Sequence, residues 1–316
     1  MTSYQASAPG SLFIAGEHAV LVGYPALVAT IDKQIHAKLE LRSDREIHIS
    51  SSFGELITSL DELSVVSPLQ FVLTTIKKWH ENHTILSGFN LHLTSEFSHK
   101  MGLGSSAAVS VVVTAVLAKW LMPAATKRDI FQHAYEVIKT VQGAGSGADV
   151  AASVFGGVIY YQLTPSITID PLPVLLPIVL IYSGSKVPTP EVITKVQQQR
   201  NKSPDEYEKR FLQIGQYVEM ACEACLMQDW SKLGYIFNCH QQLQADMNLS
   251  TPVIDDIINS LLSCQDIFGA KISGSGLGDG VIGLGSVPDD FFPATQVQRD
   301  AGVELVPVVL SGKGLM

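Results

Sequence analysis

Residues 98 to 117, SHKMGLGSSAAVSVVVTAVL, set two glycines and two serines directly before a run rich in Ala and Val. The first turn of a helix has unpaired N–H groups and the positive end of the helix dipole, so such a start can hold an anion. Gly102 and Gly104, lacking a Cβ, would let phosphate oxygens reach the backbone of Leu103 and Ala107. Ser105 and Ser106 add hydroxyls that can cap the helix, bond a phosphate or ligate Mg²⁺, which favours oxygen donors. An ordinary glycine turn leading into a capped core helix would use the same residues, and local sequence does not separate the two.

In a second glycine-rich stretch, GSGADVAASVFGG at residues 145 to 157, Asp149 by itself reads as a helix N-cap. Glu17 and His18 follow a β-type segment and Gly16, which suits the edge of a polar pocket or a solvated turn. Two familiar phosphate motifs are excluded. No GxxxxGK[ST] occurs, and the GxGxxG match GDGVIG at 278 to 283 runs into an apolar strand rather than a helix. Cys222 and Cys225 form a CxxC inside QIGQYVEMACEACLMQDW, where apolar residues recur at helical spacing, so packing on a helix is favoured over metal or redox chemistry.

The elements that must carry these residues follow from periodicity. Residues 11 to 42 read as β segments around a glycine-containing break, and FNLHLTSE (89 to 96) alternates as a half-buried strand. Residues 67 to 80, the stretch after Gly104 and RDIFQHAYEVIKTVQ read as helices, and GGVIYYQL as a strand. The Pro-rich segment 164 to 177 is the expected boundary, because proline disrupts regular pairing. Beyond it the pattern predicts a buried strand IVLIYSG, several helices between Glu191 and Ser263, a strand, glycine turn and strand in AKISGSGLGDGVIGLG, and a last strand in VELVPVVL. The class is α+β, in two domains, 1–168 and 169–316, as 316 residues exceed the usual reach of one core.

With 46% hydrophobic and 16% charged residues the chain is a folded globule, and its net charge of −9 argues against nucleic acid and against a basic membrane-binding face. No apolar run reaches the ~20 residues of a membrane span. No secretory signal is visible at the start, and the four cysteines suit a reduced cytoplasm.

Taken together, SAPGSLFIAGEHAVLVGYPAL, GLGSSAA, GSGADVAASVFGG and KISGSGLGDGVIGLG resemble, in order, the signatures of the GHMP kinase superfamily, which includes galacto-, homoserine, mevalonate and phosphomevalonate kinases. The resemblance implies a two-domain GHMP kinase fold, with a first domain like ribosomal protein S5 domain 2, a ferredoxin-like second domain and the active site between them. It further implies ATP and Mg²⁺ as cofactors. ATP phosphates would lie on Gly102, Leu103, Gly104, Ser105, Ser106 and Ala107, with Ser106 on the metal and Asp149 as base. Substrate contacts would come from Ser11, Glu17, His18, Ser146, Thr189, Gly274 and Ser275.

Two positions depart from the family. The APGK lysine is replaced by Ser11, so a positive charge must come from elsewhere, and Lys186 in SGSKVP is the candidate. Where mevalonate kinases carry a metal-binding glutamate stands Ile138, and the nearest carboxylate, Glu136, becomes the candidate ligand. GEHAV and SGSKVPTPEVI favour mevalonate as acceptor, while KMGLGSSAAV and Asp279 favour phosphomevalonate. A phosphorylated acceptor demands extra cations, and the signatures contribute mainly Lys100, Lys186 and Lys271, so mevalonate is the expected small-molecule partner. A homodimer is compatible with this reading, as is a GHMP-fold regulator that binds its ligands without transferring phosphate.

Overall fold

The computed structural model describes residues 2–52, 54–98 and 101–316. The chain opens with two long strands, β1 (Ser3–Ala15) and β2 (Ala26–Leu41), joined through a 3-10 turn at Ala19–Val22. There follow β3 (Glu46–Ser51), β4 (Gly54–Ser59), α1 (Gln70–His83), β5 (Phe89–Ser95), α2 (Ser105–Leu121), α3 (Lys127–Gln142), α4 (Ala148–Phe155), β6 (Val158–Gln162) and β7 (Thr168–Leu172). These strands form one sheet in the order β4-β3-β5-β2-β6-β7, with β1 along the other edge of β2. Apolar side chains of the sheet, such as Val28, Ile35 and Leu91, meet α1 to α4 in the largest core.

α2 runs through the middle of that core. Every residue from Ala107 to Ala118 is buried, which accounts for a helix apolar on all sides. Its Val-rich stretch would prefer a strand by propensity alone. Packing reverses the preference, since each buried valine contributes about 1.5–3 kcal/mol, while the propensity difference is only about 0.5 kcal/mol per residue.

The second layer comprises β8 (Ile178–Tyr182), α5 (Thr189–Lys202), α6 (Pro204–Met227), α7 (Trp230–Asp246), α8 (Pro252–Leu262), β9 (Ile267–Ser273), β10 (Gly280–Gly285), α9 (Gln296–Ala301) and β11 (Glu304–Val306). Its sheet order is β11-β8-β10-β9, antiparallel throughout. Numbered within the layer this is 4-1-3-2 with helices between strands one and two and between three and four, the ferredoxin-like arrangement expected. Strand β9 is an edge, and α7 covers it: the side-chain carbonyls of Asn238 and Gln241 accept from the N–H groups of Ala270 and Ile272 at 3.0 and 2.9 Å. That meets the edge's hydrogen-bonding need without another strand.

Two features differ from the sequence expectation. The Pro-rich segment contains strand β7, paired to β6 in the first sheet, so the sheets divide between Leu172 and Ile178 rather than at 168; Pro171 is tolerated because β7 is an edge strand. The segment VELVPVVL forms only a three-residue strand before the chain crosses back to the first layer. There Leu310 bridges Ile31, Met316 exchanges backbone hydrogen bonds with Ser7, and the Leu315 N–H reaches the Val154 carbonyl. All four cysteines are free thiols. Cys222 and Cys225 lie on α6 and burial pushes both thiols up to about 12, so the CxxC is packing. No helix among the described residues is long and apolar enough to cross a membrane.

Candidate active site

A cleft of about 160 Å³, partly open to solvent, lies between the two layers. Five segments meet there: the end of β1 with Glu17 and His18, the loop into α2, the loop between α3 and α4, the loop into α5, and the glycine turn between β9 and β10. Of the residues singled out in the sequence, it brings together Ser11, Glu17, His18, Gly102, Gly104, Ser105, Ser106, Ala107, Ser146, Asp149, Lys186, Thr189, Gly274 and Ser275. Leu103 is buried beneath, and its carbonyl accepts from the Ser11 N–H at 3.1 Å.

The register of β1 against β2 shifts between Pro9 and Ser11. Such a bulge re-aims a side chain, and here the Ser11 hydroxyl donates to Asp149 Oδ1 at 2.8 Å. Gly104, at φ +63, lies so close to Ser11 that a Cβ would overlap its Oγ. Ser11 is thus locked between the loop into α2 and Asp149.

Neither chemical stretch uses its polar side chains as caps. The N-cap of α2 is Gly104 and that of α4 is Gly147, both left-handed and without a side-chain cap hydrogen bond. Ser105, Ser106 and Asp149 therefore do not cap these helices, and the first turn of α2 lines the cleft. The loop before Asp149 is fixed from below: Tyr135 donates its hydroxyl to the Gly145 carbonyl at 3.2 Å, and Tyr161 donates to that of Ser146. Asp149 keeps an edge open to the cleft but is otherwise surrounded by protein, and desolvation raises its carboxyl above the ordinary range. The Ser11 hydroxyl and Lys186 act in the opposite sense, while Glu17 and Asp279 add to the rise.

Glu17 and His18 are tied down differently. Glu17 pairs with Lys271, fully buried on β9, and its other oxygen lies 3.7 Å from His240 Nε2. Lys271 is thus consumed internally and offers nothing to a substrate phosphate. Burial depresses the His18 imidazole, and its Nε2–H donates to the Ser275 carbonyl at 2.8 Å. That contact fixes the tautomer, because a carbonyl can only accept. Lys100 lies outside the described residues. Lys186, about a third exposed, is the one Lys or Arg among the described residues lining the cleft, and its Nζ sits 3.2 Å from Asp279 Oδ1.

The Glu136 expectation is corrected. Its carboxylate accepts from Gln132 on the same helix and does not line the cleft, whereas Ile138 does. Two residues along a helix turn the side chain by about 200°, so the two cannot share a face. Among the described residues no group of three or more His, Cys, Asp or Glu could hold a metal ion. The oxygen donors lining the cleft include the Ser106 hydroxyl and the Asp149 carboxylate. They suit Mg²⁺, which commonly takes one or two protein oxygens and completes its shell from phosphates and water.

Sequence reasoning left Asp279, Gln142, Ile193 and Phe13 off the site, and all four line it. Asp279 carried a signal: an acidic residue inside a run of glycines. The others are ordinary helix or strand positions until the fold brings them in.

The chain matches the family descriptions GHMP kinases N terminal domain over residues 70–157 and GHMP kinases C terminal over 221–301. The mevalonate kinase of Thermococcus sibiricus is 30% identical over 291 residues, 86% of each chain. That of Archaeoglobus fulgidus is 32% identical over 279 residues, 88% of this chain and 91% of its own. The crystal structure of L. major mevalonate kinase in complex with R-mevalonate superposes with a TM-score of 0.77 at 19% identity, covering 99% of this chain and 97% of the other. With the cleft, the sheet orders and identity of this extent in agreement, the chain belongs to the GHMP kinase family.

Proposed function

We propose that the protein is a mevalonate kinase, transferring the γ-phosphoryl group of ATP to a hydroxyl of mevalonate. The observation that carries the reading is the convergence on one cleft of an uncapped helix N-terminus, a carboxylate that caps no helix and one lysine. The mevalonate kinases similar to this chain along nearly its whole length support the choice of acceptor. So does the charge inventory. Lys271 is consumed by Glu17, His18 is kept neutral by burial and Lys186 already faces a carboxylate, which leaves no spare cation among the described residues lining the cleft for an acceptor that itself carries a phosphate.

In this reading the N–H groups of Ser105, Ser106 and Ala107 cradle the phosphates, and the missing Cβ atoms of Gly102 and Gly104 leave the backbone open. Ser106 and Asp149 would hold Mg²⁺, which when bound neutralises phosphate charge. Asp149 accepts the proton of the acceptor hydroxyl. Its raised affinity for protons serves a base, and the Ser11 hydroxyl fixes the orientation of the carboxylate. Lys186 supplies the positive charge that Ser11 cannot, and Ser146 and Thr189 bound the acceptor side. Positioning and charge neutralisation are most of what phosphoryl transfer requires.

The test is a panel of mevalonate, phosphomevalonate, galactose and homoserine with ATP and Mg²⁺, reading ADP formation. Mevalonate should give the highest kcat/KM. A protein that melts higher with nucleotide yet forms no ADP with any acceptor is a ligand-binding regulator, and the proposal then fails.

A further inference from the structure

Asp279 sits where glycine is the easier choice. It has φ +61 in the turn between β9 and β10, among Gly274, Gly276 and Gly278, all at positive φ. A non-glycine residue held there costs of order 1 kcal/mol, and such strain persists where the surroundings impose it. Its backbone is clasped twice to the loop carrying Lys186. The Ser183 N–H donates to the Asp279 carbonyl at 2.9 Å, and the Asp279 N–H to the Ser185 carbonyl at 2.8 Å. On the other side it packs on the phosphate loop, since a Cβ at Gly102 would lie 2.8 Å from the Asp279 Cβ. The carboxylate therefore has a fixed direction and is nearly buried, its side chain 5% exposed. Oδ1 faces Lys186 Nζ at 3.2 Å, with no other polar partner among the described residues.

We infer that Asp279 is a positioning residue: its carboxylate holds the Lys186 ammonium in the cleft beside Asp149, so that one lysine serves where Ser11 leaves no charge. A lysine stem a third exposed would otherwise sample many rotamers, and holding it in one is what a fixed carboxylate can do. This inference rests on the reading of Lys186 as the working cation.

The experiment uses the full chain with ATP, Mg²⁺ and mevalonate, and compares kcat and KM of wild type, Asp279→Asn, Lys186→Ala and the double variant. If Asp279 positions Lys186, Asp279→Asn lowers kcat about ten-fold or more. It lowers kcat more than it raises KM, as Lys186→Ala does, the pattern of an interaction lost in the transition state. In the Lys186→Ala background Asp279→Asn should then add less than about two-fold.

A KM that rises with kcat unchanged would mean that Asp279 serves ground-state binding alone, and it overturns the inference. So do an unchanged kcat and effects that multiply in the double variant. If Lys186→Ala itself is close to wild type, the reading of Lys186 fails and takes this one with it. If Lys186→Ala is crippled while Asp279→Asn is silent, the positioning role alone fails. Thermal melts check folding, and Asp279→Gly, which the left-handed backbone accepts, replaces Asp279→Asn should the latter not fold.

Discussion

Replacing Asp149 with asparagine separates a reacting carboxylate from a structural one, because the two readings move activity and stability in different directions. Asparagine keeps the size, and its carbonyl oxygen can still accept from Ser11. What it removes is the ability to take a proton and to carry charge at the transition state, so kcat should fall about 10²-fold or more. That is about 2.7 kcal/mol or more of lost barrier lowering, at ~1.36 kcal/mol per decade. Stability should not follow. Burial raises the Asp149 carboxyl on folding. A carboxyl so raised contributes stability that is fully present below the unfolded value of 3.8 and is lost as pH rises through the folded value. At pH 8 the ionised side chain therefore weighs against the fold. Asp149→Asn should melt at the same temperature or higher at pH 8, and the advantage should shrink as pH falls toward 4. Coupled ADP assays and calorimetry at the two pH values measure both effects. A variant with near wild-type kcat, or one that melts several degrees lower at pH 8, refutes the reasoning; a helix cap, by contrast, would have cost about 1 kcal/mol.

Ser106→Ala should raise the Mg²⁺ concentration needed for half-maximal rate while leaving urea stability within about 0.5 kcal/mol, since Gly104 and not Ser106 occupies the cap position. Gly104→Ala should cost about 1–3 kcal/mol and weaken ATP binding in calorimetric titration, because the new Cβ meets the Ser11 hydroxyl in a left-handed conformation. Lys271→Met should cost about 3–5 kcal/mol by stranding Glu17 in the interior, and adding Glu17→Gln should restore part of it; additive losses in urea melts would contradict a buried pair.

Much of the first layer was legible because its signals are local. Alternation over FNLHLTSE and helical spacing over RDIFQHAYEVIKTVQ correspond to β5 and α3. α3 also carries a start signal in Thr126 and Asp129, which form a capping box. The loop into α2 was readable as an anion site in type, since glycine before an apolar helix has few explanations. What bears on the choice between anion site and capped core helix is the cap itself, and that is a matter of dihedral angles. Periodicity has no hold on the return of the last residues to Ile31 and Ser7, nor on the hydrogen bond from Ser11 to Asp149 across 138 residues. Glu136 misled for a related reason. Counting along the chain found the nearest carboxylate, whereas a helix decides by angle and turned that carboxylate away.

Glu17, expected as a substrate contact, lines the cleft and at the same time pairs with Lys271. They stand 254 residues apart, one after β1 and the other on β9, so their ion pair joins the two layers at the floor of the cleft. His18 makes a second tie, to the Ser275 carbonyl in the glycine turn. An apolar pair of similar volume could be as stable or more so, because desolvating two charges offsets much of their attraction. An apolar pair would, however, tolerate sliding, as contact between aliphatic groups varies slowly with position. A buried ion pair does not, since a small displacement leaves both charges without water and without each other. The parts that must meet across the cleft are the loop into α2 and Asp149 on one side, and Lys186 and the glycine turn on the other. Phosphoryl transfer is sensitive to misplacements of about 1 Å, and a pair that penalises such displacements is a physical reason for charges to occupy so buried a position.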